Sequence, residues 1–327
     1  MFRMTADIFI EGYKAFTPHS VSWKRSLDQY SDSSLIRIPS VAMLKSGNNY
    51  KRVETGNEFK EGMMVNVFCG YDGNNWARFK GFISRINYKI PLELECEGFS
   101  YLLRKKMDIS MSFKSGVTLK EVLNKIIENT EIRLSDRIID FKINSPVVMK
   151  QVTGTQALDW LKDRLAQTVY FNYDELYVGL RHLDPKINRR FRLGWNTVKE
   201  DDLKFALDRE HSEVRFQLQS RNKDGGYTKE VYDSKYSNTK VKKIYVRLEE
   251  SYLKKMVEDA KKTLLNRGYE GSFTAFAIPV VEPGMSVTIN DKRYEERKGT
   301  YIVDEVKGSF DKNGGRQVVK IGSKLND

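Results

Sequence analysis

The side chains able to do chemistry in this sequence are few and scattered. His19 stands in a Thr-Pro-His-Ser turn, His182 in Leu-Arg-His-Leu-Asp-Pro and His211 in Arg-Glu-His-Ser-Glu. None shares the HxH or HExxH spacing that would bring two imidazoles to one metal ion. Cys69 and Cys96 fall in strand-like runs with no CxxC pair and read as small buried hydrophobes. A Gly-x-Ser-x-Gly elbow, which would expose a serine nucleophile, is missing. So are the two glycine patterns, GxxxxGK[ST] and a helix-opening GxGxxG, that cradle phosphates. Glu93, Glu95 and Glu97 alternate along a strand and so share one face. Three like charges in a row suit a solvated or lumen-facing surface better than the opposed carboxyl pair of a glycosidase. The expectation is no catalytic residue, no cofactor ligand and no metal ligand.

Rings and positive charge raise the question of nucleic acid. Tyr170, Phe171, Tyr173 and Tyr177 lie near basic residues, and Lys80-Gly81-Phe82 has a faint likeness to an RNA-recognition strand. Stacking on bases requires several rings exposed on one face, whereas these follow an amphipathic helix that needs a sheet to cover it, so core packing is the expectation. The formal net charge is +12. It is spread along the chain: residues 1 to 100 carry 13 Lys and Arg against 11 Asp and Glu, 101 to 205 carry 19 against 14, and 206 to 327 carry 24 against 19. Clusters such as Arg104-Lys105-Lys106, Arg189-Arg190-Phe191-Arg192 and Lys240 to Arg247 stand out locally. Most are interleaved with acids and read as solvated faces or polar subunit contacts, with a phosphate-binding surface as the alternative.

The elements that must carry these residues fall into three stretches. At 327 residues the chain is long enough for two or three domains, each with its own core. No apolar run reaches the ~20 residues of a membrane-spanning helix, and the opening Met-Phe-Arg-Met-Thr-Ala-Asp breaks up any signal-peptide core. Residues 1–100 alternate apolar and polar residues between Gly, Asn and Asp clusters, which predicts a small β-barrel. Its clearest piece is a hairpin from Met63 to Ile86 turning at Tyr71-Asp72-Gly73-Asn74-Asn75. Residues 101–205 predict an α+β middle domain. Thr118 and Glu121 form a capping box ahead of the stripe Leu119, Val122, Leu123, Ile126 and Ile127, a second helix is expected at 155–166, and Val169 to Leu180 reads as two strands around an Asp174-Glu175 turn. Residues 206–327 predict a second β-barrel with hairpins at Asp224-Gly225-Gly226 and Asn313-Gly314-Gly315. One helix is expected to pack on it through Leu253, Val257, Ala260 and Leu264, ending at Gly268.

The two β stretches resemble each other. Glu61-Gly62-Met63-Met64-Val65-Asn66-Val67 matches Pro283-Gly284-Met285-Ser286-Val287-Thr288-Ile289. Phe79 to Ile86 matches Gly299 to Val306, and a third strand follows each, Leu92 to Cys96 and Gln317 to Ile321. The first two pairs are offset by 220 to 222 residues. Three strands in one order at a near-constant offset predict two copies of one module, in which Met63, Val65 and Val67 face one core and Met285, Val287 and Ile289 the other.

In this order of elements the chain resembles the baseplate hub proteins of contractile-tailed phages, the Mu-like tail hub and late control protein D family, related to the hub part of type VI secretion spikes. The resemblance spans most of the chain. Its carriers are Phe59-Lys60-Glu61-Gly62 through Phe79-Lys80-Gly81-Phe82-Ile83, Leu92 to Gly98, Val117 to Leu123, Ala157-Leu158-Asp159-Trp160-Leu161 leading to Leu176-Tyr177-Val178-Gly179, and Pro283-Gly284 through Thr300-Tyr301-Ile302-Val303 to Gly322. The chain departs from the pattern at Glu97-Gly98 and in the long strand and loop region from 215 to 248. The resemblance implies a mixed β and α+β fold with two similar small β-barrels and an α+β middle region. It also implies a non-enzymatic homotrimer forming a pseudo-sixfold ring between a tail tube protein and a central spike protein, with the tape measure protein as a further candidate partner. Such a chain would be made in the bacterial cytoplasm and reside in the tail baseplate of a phage or prophage particle, with no cofactor, no sequence-specific nucleic acid and no membrane insertion. Two other classes of function stand beside this one: a basic nucleic-acid-binding module, which would show steeply salt-dependent affinity, and a peptidoglycan- or carbohydrate-acting enzyme, which would need a concave acidic pocket.

Overall fold

The computed structural model describes residues 3–46, 49–200, 202–206, 214–221, 224, 226–232, 238–244, 246–264 and 268–325. The first module contains β1 (Met4–Ile10), β2 (Ser20–Ser26), β3 (Ser33–Ile38), the hairpin β4 (Val41–Ser46) and β5 (Asn49–Glu54), the short helix α1 (Thr55–Glu58), β6 (Met64–Tyr71), β7 (Asn74–Asn87) and β8 (Leu92–Glu97). Side by side its sheet runs β1-β6-β7-β8-β3-β2. The β6–β7 turn is tight because Asp72 and Gly73 both take positive φ, 54° and 83°. Alternate residues point inward, so Ile8, Ile36, Val65, Val67, Cys69 and Leu94 share one buried core, with Met63 at its margin.

The middle region packs α2 (Ser100–Lys105), α3 (Leu119–Ile127) and α4 (Gly154–Arg164) with the short strands β9 (Ile109–Phe113), β10 (Val117–Thr118), β11 (Arg133–Leu134), β12 (Lys142–Ile143), β13 (Val147–Val152), β14 (Thr168–Asn172) and β15 (Glu175–Gly179). The Thr118–Glu121 capping box starts α3 as expected. A second box, Thr153 with Gln156, starts α4 and sets its first residue at Gly154. The turn before β15 lies one residue earlier than the sequence suggests, because Tyr173 takes the left-handed conformation at φ 57° and Glu175 already pairs with Asn172.

The second module follows with β16 (Asn188–Arg192), β17 (Thr197–Lys199), β18 (Lys204–Ala206), β19 (Val214–Arg221), β20 (Tyr227–Tyr232), β21 (Asn238–Ile244), α5 (Glu250–Leu264), β22 (Gly268–Phe276), β23 (Ser286–Asn290), β24 (Gly299–Asp311) and β25 (Gly314–Leu325). Its sheet runs β16-β23-β24-β25-β22-β17, with β18 also on β22. Chain order and spatial order therefore match the first module strand for strand: β1 with β16, β2 with β17 and β18 in succession along β22, β3 with β22, and β6, β7 and β8 with β23, β24 and β25. Even the bulge recurs. The β7–β8 register shifts between Ile83 and Arg85, and the β24–β25 register between Val303 and Glu305. The one reversal is β16, which runs parallel to β23 where β1 is antiparallel to β6. Val287, Ile289, Val303 and Val319 are wholly buried in the second core, and Met285 packs at its edge.

Two expectations are corrected. The apolar face of α5 turns to the middle region, where Tyr252, Leu253, Met256 and Val257 join the core, while the helix also touches the second module at β25. The reason is local, since the Tyr252 ring stacks on Phe141 at 3.8 Å and its hydroxyl donates to Gln167 Oε1 at 2.6 Å. The Leu264 side chain and the Gly225 turn lie outside the described residues, and Gly268 opens a strand. The expected boundary at 205 also fails to divide the modules. The strands β16, β17 and β18 belong to the second sheet, while Ile244, Val246 and Leu248 serve the middle core.

The two modules share one continuous sheet, because β2 pairs antiparallel with β24, Val21 opposite Phe310 through Ser26 opposite Glu305. Trp23 stands opposite Gly308 in this seam, where a Cβ would lie 2.0 Å from the indole. No helix among the described residues is long and apolar enough to cross a membrane.

Candidate functional site

The side chains singled out in the sequence are placed apart and put to structural use. His19 is exposed in its turn, His182 is buried, and His211 lies outside the described residues. Cys69 and Cys96 are buried free thiols, and burial pushes the Cys69 thiol up to about 12, which leaves it unreactive. The three glutamates of β8 form a ladder of separate pairs. Glu93 binds Arg37 at 3.0 Å and Lys89 at 3.1 Å, Glu95 accepts from Asn87 at 2.6 Å, and Glu97 accepts from Arg104 at 2.6 Å and from Ser100 at 2.9 Å. Phe82 is buried against Tyr101, and Phe171 and Tyr177 sit in the middle core. These rings pack, as expected. Among the described residues no group of three or more His, Cys, Asp or Glu could hold a metal ion.

What the sequence did not reveal is a buried ionic knot where the three regions meet. Arg25, on β2, is almost fully buried. Its guanidinium donates to Asp32 at 3.1 Å and to Asn172 Oδ1 at 3.1 Å, pairs with Glu282 at 3.2 Å, and lies 4.0 Å from the Tyr173 ring centre. The Tyr173 hydroxyl donates to Glu282 and contacts the Ala77 carbonyl at 3.1 Å. Beside it the buried Arg78 donates to the Ala277 carbonyl at 2.7 Å. Arg25, Asp32 and Arg78 come from the first module, Asn172 and Tyr173 from the middle, and Ala277 and Glu282 from the second. A guanidinium suits this place because its fork serves several acceptors at once. Burial works against the Arg25 charge, but Tyr173, Asp32 and Glu282 outweigh it and hold the group above its ordinary value. Burial pushes Asp32 up to about 6, since Arg25 offsets it only in part and Glu282 adds a second negative charge.

A second knot has the outline of a hydrolase triad. The Asp259 carboxylate lies 3.1 Å from His182 Nδ1, and His182 Nε2 lies 2.9 Å from Ser323 Oγ. In a serine hydrolase the same order activates the hydroxyl. Here Ser323 and His182 are buried, and a nucleophile that no substrate can reach performs no acyl transfer. Asp259 also accepts from the backbone N–H of Arg181 at 3.0 Å and of His182 at 2.7 Å. Burial opposes its charge, yet these bonds and His182 hold the carboxyl below the usual range. Arg181 in turn bridges Asp28 at 2.5 Å and Asp304 at 2.9 Å. The array therefore ties α5, the segment after β15, β25 and the β2–β24 seam together. No local sequence signal announces it, as its members lie 77 and 141 residues apart.

Among solved structures, the chain is similar over 99% of its length to a tail protein from Neisseria meningitidis MC58, with 14% identity, a TM-score of 0.67 and 97% of that chain covered. It is likewise similar to a 43 kDa tail protein of prophage MuSo2 from Shewanella oneidensis, with 14% identity, a TM-score of 0.64 and 98% of each chain covered. A third is a component of the E. coli type VI secretion system with structural similarity to T4 bacteriophage tail proteins gp27 and gp5. There the identity is 8%, the TM-score 0.58, and the match covers 98% of this chain and 77% of that one. No family model and no curated protein matches the sequence. None of the three structures is described as an enzyme. The chain has the fold of phage tail proteins and of a type VI secretion component, the fold implied by its resemblance to baseplate hub proteins.

Proposed function

We propose that this protein is a non-enzymatic structural subunit of a contractile phage tail or related injection machine, assembling as a homotrimer whose six β modules form a pseudo-sixfold ring between the tail tube and the central spike. The observation that carries this reading is the strand-for-strand match of the two modules, down to the bulge after Ile83 and after Val303. A tube with six subunits per ring can meet three identical partners evenly only if each presents two similar surfaces. The single continuous sheet and the two ionic knots hold the two surfaces of one chain at a fixed angle, as a ring requires. The tape measure protein is a further partner on this reading, and the spread of positive charge serves subunit contacts.

The test is the mass of the purified assembly. Light scattering at three times the 38.0 kDa chain mass, alone or on mixing with the cognate spike, is the expected result. A monomer that binds neither spike nor tube protein would remove the proposal, and steeply salt-dependent binding to DNA would favour the nucleic-acid alternative.

A further inference from the structure

The strand that breaks the match between the two modules also carries charge that its counterpart lacks. β16 reads Asn-Arg-Arg-Phe-Arg and β1 reads Met-Thr-Ala-Asp-Ile-Phe-Ile, so the second module has three cations where the first has a single acid. The strand period of two sends Phe191 into the core and sets Arg190 and Arg192 on the outer face, opposite Thr288 and Asn290 of β23. On the outer face of the first module, Asp7 accepts from Asn75 Nδ2 at 2.6 Å and Phe9 packs edge-on against Phe68 at 5.6 Å.

The outer face of β16 and β23 opens into a pocket of about 510 Å³, to which Trp195 and Lys298 also contribute. Its neutral polar groups are largely engaged within the fold. Asn188 Nδ2 donates to Thr288 Oγ1 at 2.9 Å, and Asn196 donates to the Arg190 carbonyl at 3.1 Å and accepts from the Arg192 N–H at 2.7 Å. The amides of Leu193 and Trp195 donate to the carbonyls of Asn290 and Arg192, each at 3.0 Å. The carboxylate of that turn, Glu200, accepts from the Gly194 N–H at 2.7 Å and from the Thr197 hydroxyl. Besides the Asn290 amide, what is left to meet a ligand is charge and one ring. Arg190 and Lys298 are exposed, Arg192 lies 5.7 Å from the Trp195 ring centre, and Trp195 is 77% exposed. Among the described residues no acid lines the pocket, and none pairs with Arg190, Arg192 or Lys298.

These free groups select among anions. Single-stranded nucleic acid lays successive bases on several rings, and this pocket offers one. Phosphate cradles are built from free backbone N–H groups, and those of Leu193, Gly194, Trp195 and Asn196 are already bonded. A carboxylate needs neither, since a guanidinium fork grips it directly, and Trp beside Arg is a strong anchor of protein contacts. We propose that the pocket binds an acidic segment of a partner protein, with its carboxylates on Arg190, Arg192 and Lys298 and an apolar side chain on Trp195. The first module has an acid in place of the cations, so each chain binds one segment. Resting on the ring reading above, this puts three acidic segments on a ring of six β modules, and the partner is one that the ring meets three times.

The experiment titrates the full chain into a fluorescein-labelled peptide, Glu-Glu-Leu-Glu-Glu, at physiological ionic strength, with the glutamine version and a labelled oligothymidine as comparisons. Anisotropy should report one glutamate peptide per chain and no binding of the glutamine peptide. Arg190→Glu and Lys298→Glu should each weaken binding at least ~10-fold, and Trp195→Ala about 3-fold or more, with melting curves checking that the variants fold. Lys150→Glu, an exposed reversal in the middle region, should change the affinity by less than about twofold. A peptide that does not bind, that binds the Arg190 and Lys298 variants as well as wild type, or that is weakened equally by Lys150→Glu overturns the pocket. Tighter binding of the oligothymidine at the same residues overturns it in favour of nucleic acid. Light scattering reads the ring separately: a monomer that binds the peptide through Arg190 loses the ring and keeps the pocket, and a trimer that ignores the reversals keeps the ring and loses the pocket.

Discussion

The Gly62 amide donates to the Ile83 carbonyl at 2.8 Å, and the Gly284 amide donates to the Val303 carbonyl at 2.9 Å. The two glycines hold one and the same place in the two modules, and in each the returning bond, from Ile83 N–H to Met63 and from Val303 N–H to Met285, measures 2.9 Å. Both take positive φ, 90° and 81°.

A Cβ would lie 3.4 Å from the Tyr101 hydroxyl at Gly62, and 3.6 Å from the Tyr170 hydroxyl and 3.9 Å from Leu27 Cδ2 at Gly284, ordinary contacts, so the cost of alanine there is backbone strain. Gly62→Ala and Gly284→Ala should each cost about 1–2 kcal/mol, read from denaturant midpoints at unchanged slope. The two losses should agree. A loss at one site alone would contradict the equivalence.

Val65 and Val287 are fully buried, each three residues beyond its glycine on the strand that the glycine leads into. Val65→Asp and Val287→Asp should each destabilise the chain by several kcal/mol, because a carboxylate would enter an apolar core without a partner. Melting temperature and soluble yield are the measurements, and a variant that melts like wild type would place that residue outside a packed core.

Much of this fold can be read from the sequence because its causes are local. Alternation marks β6, β7 and β8 and their copies, positive-φ residues mark the turn at Asp72-Gly73, and the Thr118–Glu121 box marks a helix start. The position of α5 was not legible: its stripe shows which face is buried but not which core receives it, and Tyr252 chose Phe141. Nor was the Arg25 knot, whose members are separated by up to 257 positions in the chain and meet only after three regions have packed. Non-local polar networks leave no periodic trace, whereas a repeated module leaves two.

The Asp259–His182–Ser323 array separates geometry from activity. Ser323→Ala should lower stability by about 1 kcal/mol, the net worth of one buried hydrogen bond, and leave the background rate of activated ester hydrolysis unchanged from wild type. A wild-type esterase rate abolished by the substitution would show that the buried hydroxyl is reached by substrate.

The Arg25 knot makes stability depend on pH in a direction opposite to that of an ordinary ion-paired carboxylate. Asp32 has its carboxyl pushed up to about 6 by burial, against about 3.9 in an unfolded chain. Between those values the folded state binds more protons than the unfolded one, so the contribution of Asp32 is greatest below about pH 4, falls as pH rises to about 6, and is flat above. Asp32→Asn keeps an acceptor for Arg25 and removes the titration. The stability of the variant minus that of wild type should therefore rise, on the order of 2–3 kcal/mol, between pH 4 and 7. A difference that stays level or declines over that range would place the Asp32 pKa near or below its ordinary value. Arg25→Met is the converse: it strands Asp32 and Glu282 without their shared cation and should cost about 3–5 kcal/mol, more at pH 8 than at pH 5. Lysine should not restore the loss, because one ammonium cannot reproduce the planar fork that serves Asp32, Glu282 and Asn172 together.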